Sequence, residues 1–320
     1  MMRVIILLFA VVLLYGCNSN ESYTKVNLNQ SFLATVNIKD TSLTFLDENY
    51  QLFARWDISK PFTGALLLAN KDTVLLYGKE METIEAYSLS AGKHIDSWKA
   101  GKGIVNMLML QDGESIVAVN QLNHSIYFFD KEGKQQDRVT VGKSPLTVLQ
   151  GKQASNLYVI NFGDTHCSII NLETKQVDRE FTIQGSSTGA LLREEHQEIW
   201  IGGHGEGNQV EENLYMYSTE TGKMKGKLKV PTMPIKFIEN EDGLFILSHG
   251  TSSLYKMNDK YEEIKSLVVG VNPFEMGNFK GDLVVAGYDS DEVYVVNTET
   301  MDVKLTVEVG EGPFQMMIRE

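Results

Sequence analysis

The chain has 320 residues, a formal net charge of −13, 42% hydrophobic residues and two cysteines. That acidic balance, with no basic stripe along the chain, repels phosphate backbones and argues against a nucleic-acid partner. The apolar content is ordinary for a chain that buries a full core, and two cysteines cannot supply a cross-linked scaffold, so burial must hold the fold.

The first element lies at the N-terminus. Arg3 precedes an unbroken apolar run over residues 4–14, and Leu14-Tyr15-Gly16-Cys17 ends it. A basic start, a short apolar stretch and a small residue at its end are the parts of a signal peptide. The run is about half the ~20 residues that a helix needs to cross a bilayer. Leu-x-Gly-Cys resembles the lipobox of bacterial lipoproteins. That resemblance implies that residues 1–16 are a signal peptide cleaved after Gly16 and that Cys17 is acylated, as by palmitate. Each buried CH₂ of such chains is worth about 0.8 kcal/mol, and two or three chains hold a protein firmly on a membrane. Residues 18–30 are polar, and residues 17–30 read as a lipidated cysteine with a flexible tether. Cys167 is then left unpaired and reads as a small buried residue on a strand.

From residue 31 the chain repeats itself. Lys60-Pro61-Phe62, Lys102-Gly103-Ile104, Ser144-Pro145-Leu146, Met233-Pro234-Ile235, Asn272-Pro273-Phe274 and Gly312-Pro313-Phe314 align, with Ser186 filling the remaining place. The anchors are spaced 42, 42, 41, 48, 39 and 40 residues apart, and the long interval holds an insertion at residues 202–213. Each anchor opens a strand. Second strands follow at residues 74–77, 116–119, 157–160, 199–201, 244–247 and 283–286, and third strands at 126–129, 168–170, 214–217 and 293–296. Turns such as Asp130-Lys131-Glu132-Gly133 and Ser218-Thr219-Glu220-Thr221-Gly222 separate them. Asp, Asn and Ser bond locally to the backbone there, and Gly supplies positive φ.

Four short strands in about 40 residues make a β-propeller blade. Residues 31–320 accommodate seven. The first blade is split: residues 32–38, 42–46 and 52–58 give three strands, and the C-terminal residues 314–318 give the innermost one, which closes the ring and leaves no open edge. The expected fold is therefore all-β: a seven-bladed propeller of four-stranded antiparallel blades over 31–320, after the signal peptide and tether. Tyr158-Val159-Ile160-Asn161, residues 293–300 and residues 214–221 resemble the YVTN-type, WD-repeat-like propellers of bacterial exported and surface proteins. The insertion and Val230-Pro231 depart from that pattern. The resemblance implies fold far more than function, because these motifs build blades.

The loops between second and third strands and the junctions between blades share the face around the central channel. His124, His166, His204 and His249 fall in those loops, with His204 and His249 at one repeat position in adjacent blades, followed by Tyr288 and then Asp289. The insertion adds Glu206 and two further carboxylates, and long loops on rigid scaffolds concentrate function. His204, Glu206, His249, Tyr288 and Asp289 are accordingly the candidate ligand- or partner-binding residues, together with Lys236 and Glu275 near the starts of neighbouring innermost strands. The last two also suit a plain interblade ion pair. Two histidines with Glu206 or Asp289 would suit a divalent ion, but no HxH or HExxH spacing forces them together, so no metal site and no cofactor is expected. Gly185-Ser186-Ser187-Thr188-Gly189 has the form GxSxG, yet strands flank it on both sides where a nucleophile elbow needs a helix after it. The glycine-rich run Gly202-Gly203-His204-Gly205-Glu206-Gly207 lacks the Lys-Ser/Thr and the strand–helix context of a phosphate loop. Trp56 and Trp98 match in register on outer strands and read as blade packing.

The reading that follows is a monomeric, membrane-anchored extracytoplasmic lipoprotein whose propeller is a non-catalytic scaffold for a protein or small-molecule partner. The alternative is a propeller enzyme of the lactonase or quinone-dependent dehydrogenase type with its site at the channel mouth, which would need convergent acids, bases or a metal there.

Overall fold

Short β-rich runs joined by turns fold here as a chain of antiparallel meanders. The structure, a computed structural model, describes residues 21–151 and 155–320; the expected signal peptide and Cys17 lie outside the described residues. Blade 1 contains β1 (Phe32–Asn37), β2 (Ser42–Leu46) and β3 (Leu52–Asp57). Blade 2 is β4 (Gly64–Leu67), β5 (Thr73–Tyr77), β6 (Thr83–Ser88) and β7 (Lys93–Lys99). Blade 3 is β8 (Ile104–Met109), β9 (Ser115–Asn120), β10 (Ser125–Asp130) and β11 (Gln135–Thr140). Blade 4 is β12 (Pro145–Gln150), β13 (Asn156–Asn161), β14 (His166–Asn171) and β15 (Gln176–Thr182). Blade 5 is β16 (Ser187–Arg193), β17 (Glu198–Gly203), β18 (Asn213–Ser218) and β19 (Met224–Lys229). Blade 6 is β20 (Pro234–Asn240), β21 (Gly243–Ser248), β22 (Ser253–Met257) and β23 (Glu263–Val268). Blade 7 is β24 (Pro273–Phe279), β25 (Asp282–Gly287), β26 (Glu292–Val296) and β27 (Val303–Glu308). Finally β28 (Pro313–Arg319) returns to blade 1, whose order is β28-β1-β2-β3.

The fold is thus the seven-bladed propeller expected, closed by antiparallel pairing of Leu33 with Ile318 and Ala34 with Met317. Apolar side chains of the middle strands face the next blade, so each pair of neighbours shares its own apolar cluster; Leu33, Phe279, Val284 and Val295 hold blade 7 against blade 1. Trp56 and Trp98 are buried in two of these clusters, and burial pushes the Cys167 thiol pKa up. The outer-strand turns are built by Asx side chains: Asp130 Oδ1 accepts from the N–H groups of Glu132 and Lys134, and Asn171 Oδ1 from those of Glu173 and Thr174.

Two expectations need correction. The structural anchor sits one residue later than the repeat suggests in three blades. Ile104 pairs with Asn120 and Ser187 with Gly203, as Pro145 pairs with Asn161. Phe62 takes the same place in blade 2, where Gly78 faces Pro61 and Phe62 as Gly203 faces Ser186 and Ser187. The residue before the anchor has positive φ in the other six blades: Gly103, Ser144, Ser186, Met233, Asn272 and Gly312. Proline at position 61 cannot adopt it.

The second correction concerns residues 21–30, which are not a free tether. Tyr23 stacks on Trp56 at 5.0 Å between ring centroids, and Val26 is fully buried. The N–H groups of Tyr23 and Val26 donate to the carbonyls of Gly92 and Leu89, and Trp56 Nε1 donates to that of Thr24. Two apolar side chains in a polar stretch suffice to fix it, because the carbonyls of an outer turn meet its backbone. The contacts lie at the ends of the strands opposite the blade-junction face, since β6 runs from that face down to the Leu89–Gly92 turn.

Arg319 ties these pieces together. It is 3% exposed, and its guanidinium donates to the carbonyls of Gln30, Lys71 and Asn27 while lying 4.4 Å over the Phe32 ring. Arg319→Ala leaves these carbonyls without their donor and is expected to cost about 3 kcal/mol, or roughly 5 °C in melting temperature. Arg319→Lys, which keeps the charge and loses the planar fork, should fall between. Thermal melts of the three proteins decide it, and an unchanged Arg319→Ala melt removes the clasp from the account.

Candidate functional site

The channel mouth is shaped by two recurring positions. At the first, in every blade but the second, the residue after the second strand donates its N–H to the carbonyl of the left-handed residue at the blade junction. Phe162 bonds Ser144 at 3.1 Å, His204 bonds Ser186 at 3.2 Å, His249 bonds Met233 at 3.0 Å and Tyr288 bonds Asn272 at 3.3 Å. These bonds fix the ring-bearing side chains of four neighbouring blades, 4 to 7, at the mouth. The second position is the bulged residue that follows each anchor. The pairing register skips it in blade after blade, as between Pro273 and Glu275 or Pro234 and Lys236. A bulge re-aims a side chain. Here Phe274, Phe314, Ile235, Leu146 and Val105, with Thr63 and Thr188, all line the central cavity.

Together these positions form an aromatic arc. Ring centroids run from Phe162 to His204 at 6.4 Å, to His249 at 5.5 Å, to Phe274 at 4.3 Å, and on to Phe314 at 5.1 Å. Tyr288 closes on Phe274 at 5.5 Å and carries the Lys39 ammonium 4.3 Å over its ring. The cavity beneath holds about 500 Å³, within the range of small-molecule sites. One residue deeper, Asn106, Thr147, Lys236, Glu275 and Gln315 form a polar ring. Lys236 and Glu275 make the expected interblade ion pair at 2.6 Å, and both line the cavity.

The expected site residues do not all converge. His204 and His249 meet, with Tyr288 beside them across Phe274. Glu206 does not: it is exposed and lies over Gly185, where a Cβ would come within 3.1 Å of its carboxyl. The inserted loop is tucked back on itself by the bond from Glu211 N–H to the His204 carbonyl, which carries Glu206 away from the histidines. Asp289 turns outward to Lys39 at 2.8 Å and to Asn272 Nδ2 at 2.8 Å, and the Lys39 bond holds its carboxyl below the usual carboxylate range. Among the described residues, no three His, Cys, Asp or Glu side chains converge on a point. His124 Nδ1 accepts the Ser144 N–H and braces a blade junction. Ser187 spends its hydroxyl proton on the Gln184 carbonyl and stands among strands, not at an elbow.

Both mouth imidazoles are kept neutral. Burial lowers the His204 pKa from its ordinary value, and neighbouring His249 lowers it further. Burial also lowers that of His249, against the hydrogen bond to the Pro273 carbonyl, which raises it. His204 Nδ1 is buried without a partner, so its other nitrogen is the one left for a visitor. Sequence reasoning missed Phe162, Phe274 and Phe314. The signal for Phe274 and Phe314 was present as the residue after a repeated proline, but that position holds Val, Leu, Thr and Ile in other blades and reads as ordinary strand; Phe162 shares the repeat position of His204, His249 and Tyr288.

No protein-family model matches the chain, and no curated protein matches its sequence. Solved structures do resemble it in fold. A functionally unknown protein from Desulfotomaculum acetoxidans aligns with TM-score 0.73 and 12% identity over 90% of this chain and 98% of that one. Hydrazine synthase from Kuenenia stuttgartiensis aligns with TM-score 0.67 and 12% identity over 89% and 97%. AztD from Citrobacter koseri aligns with TM-score 0.61 and 10% identity over 91% and 97%. At such identities the likeness shows the propeller and nothing finer.

The lowered histidine pKa values have a consequence for stability. Below about pH 6.5 the unfolded chain takes up protons that the folded mouth refuses, so stability falls as pH drops through that value toward the lowered folded values. Thermal melts from pH 7.5 to pH 5 should therefore drop more steeply for the native protein than for His204→Gln/His249→Gln. Parallel curves would show that the two imidazoles are not held neutral.

Proposed function

We propose that this chain is a membrane-anchored extracytoplasmic lipoprotein whose propeller is a non-catalytic scaffold, binding its partner at the channel mouth. The anchor rests on Leu14-Tyr15-Gly16-Cys17 and the apolar run before it. The YVTN-type resemblance agrees with an exported propeller. The observation that carries the binding reading is the mouth itself: an arc of aromatic and neutral imidazole rings over the central cavity, with the two charged side chains of its wall paired to each other. Acid–base catalysis needs a titratable group within reach of the reacting atoms and tuned to the working pH. Lys236 and Glu275 are committed to one another, and the two histidines form a ring-to-ring contact with no carboxylate to orient either. A concave, mostly apolar wall with a few polar groups is the usual form of a binding site.

Two measurements test the two halves. Intact mass of the protein from its own membranes should show cleavage before an acylated Cys17, and Cys17→Ser should leave the membrane fraction or stay uncleaved. An unacylated native protein removes the anchor. For the scaffold, capture from the same membranes should lose at least tenfold of its specific partner in His204→Ala/His249→Ala. The control pair Glu132→Ala/Glu299→Ala, exposed on the opposite face, should keep it. Equal capture by both pairs, at matched melting temperature, moves the site off the mouth.

A further inference from the structure

The cavity has a layered chemistry that restricts what can enter it. Its collar is apolar at five of its seven positions, with Thr63 and Thr188 at the other two. Val105 and Leu146 supply one side, and Ile235, Phe274 and Phe314 supply the other. The polar ring lies one residue deeper on the same strands. There Gln315 Oε1 accepts from the Ala65 N–H at 2.8 Å, which leaves both amide protons of Gln315 unspent. Asn106 Nδ2 donates to the Leu146 carbonyl at 3.1 Å, which leaves Asn106 Oδ1 as an acceptor. Glu275 Oε1 takes both Lys236 Nζ and the Met276 N–H, which leaves Oε2. The floor therefore offers donors and acceptors side by side, carried by amides and by a charge pair that cancels.

We infer that the mouth takes a small, uncharged, planar ring carrying an amide-type edge, with its faces in the collar and its edge on the Asn106–Gln315 floor. This rests on the binding reading above and names the ligand class for the same site. Three observations select it. The collar would strip water from a molecule that is polar around its whole rim, so a saturated polyol such as a sugar loses its equatorial hydrogen bonds on the way in. The aromatic arc is built from edge-to-face and tilted contacts, and a flat ring extends such an arrangement. The ion pair and the neutral imidazoles leave no net charge in the wall to offset a charged group brought in from water, so an anion or cation of the same shape is excluded by desolvation.

Benzamide is the simplest molecule of this class and serves as the probe. Methyl groups of Ile, Leu and Val are labelled with carbon-13 in the full chain, and their spectra are followed as benzamide is added. The collar methyls of Ile235, Leu146 and Val105 should shift together and saturably at millimolar concentration. The methyls of Val303 and Leu305, exposed on an outer strand, should stay still. Benzoate, benzylammonium, glucose and cyclohexanecarboxamide should each bind at least tenfold more weakly. Phe274→Ala should weaken benzamide at least tenfold, and so should Asn106→Leu, at melting temperatures near that of the native protein. Benzoate, benzylammonium or glucose binding the collar as well as benzamide does would overturn the class. Zinc(II) shifting the same methyls at micromolar concentration would overturn it too, by assigning the mouth to a metal. Collar methyls that ignore benzamide while partner capture still depends on His204 and His249 would remove the ligand class and leave the scaffold. Loss of that dependence with benzamide binding intact would do the reverse.

Discussion

Everything in this molecule depends on apolar packing between neighbouring blades. Each blade is a twisted sheet whose middle strands are buried on both faces, and neither face is covered by its own blade. Phe45 and Trp56 of blade 1 share one buried cluster with Val74, Leu76 and Tyr87 of blade 2, and the same dependence passes round the ring. A set of slabs that each need two neighbours is stable only when the last meets the first. The pairing of β28 with β1 supplies that meeting and places the first and last strands in one blade. The site inherits its rigidity from this arrangement, because the collar residues sit on innermost strands whose positions are set by the slabs behind them.

Strand periodicity, turn chemistry and repeat length are local properties, so the fold was legible in the sequence. The site was partly legible. His204, His249 and Tyr288 could be placed together because they recur at one repeat position, and a propeller brings recurring positions to one circle. The phenylalanines of the collar were not legible, because a bulge aims them and a bulge leaves no fixed residue signature here: the bulged place holds Thr63, Val105 and Leu146 as readily as Phe274. Glu206 was misplaced for a related reason. Loop length is visible in a sequence, but the backbone bond that folds this loop away from the channel is not. The one-residue shift of the anchor in blades 2, 3 and 5 shows the limit of alignment by residue type. Pro61 looks like the other prolines, yet Phe62 fills their place.

Charge tells a consistent story at two scales. The chain as a whole is strongly acidic. The cavity wall does not share that character: Glu275 is matched by Lys236, and Asp289 at the rim is matched by Lys39 from the blade across the seam. Acidity on the outside and neutrality within mean that the surface field gives no direction to a neutral ligand. Recognition at the mouth falls to shape and to the floor's hydrogen bonds.

The docked segment before β1 has a geometric consequence. Ser22 bridges to Lys93 and Tyr23 bonds Gly92 at the ends of the strands farthest from the histidines, while Phe314 opens β28 at the mouth and Arg319 ends it beside the segment. The segment before β1 therefore lies on one side of the ring and the cavity opens on the other. Glu21 and Cys17 are four residues apart, a reach of about 14 Å at full extension. A surface fastened through Cys17 would carry the ring like a cup set on its base, rim outward, within reach of molecules arriving from beyond that surface.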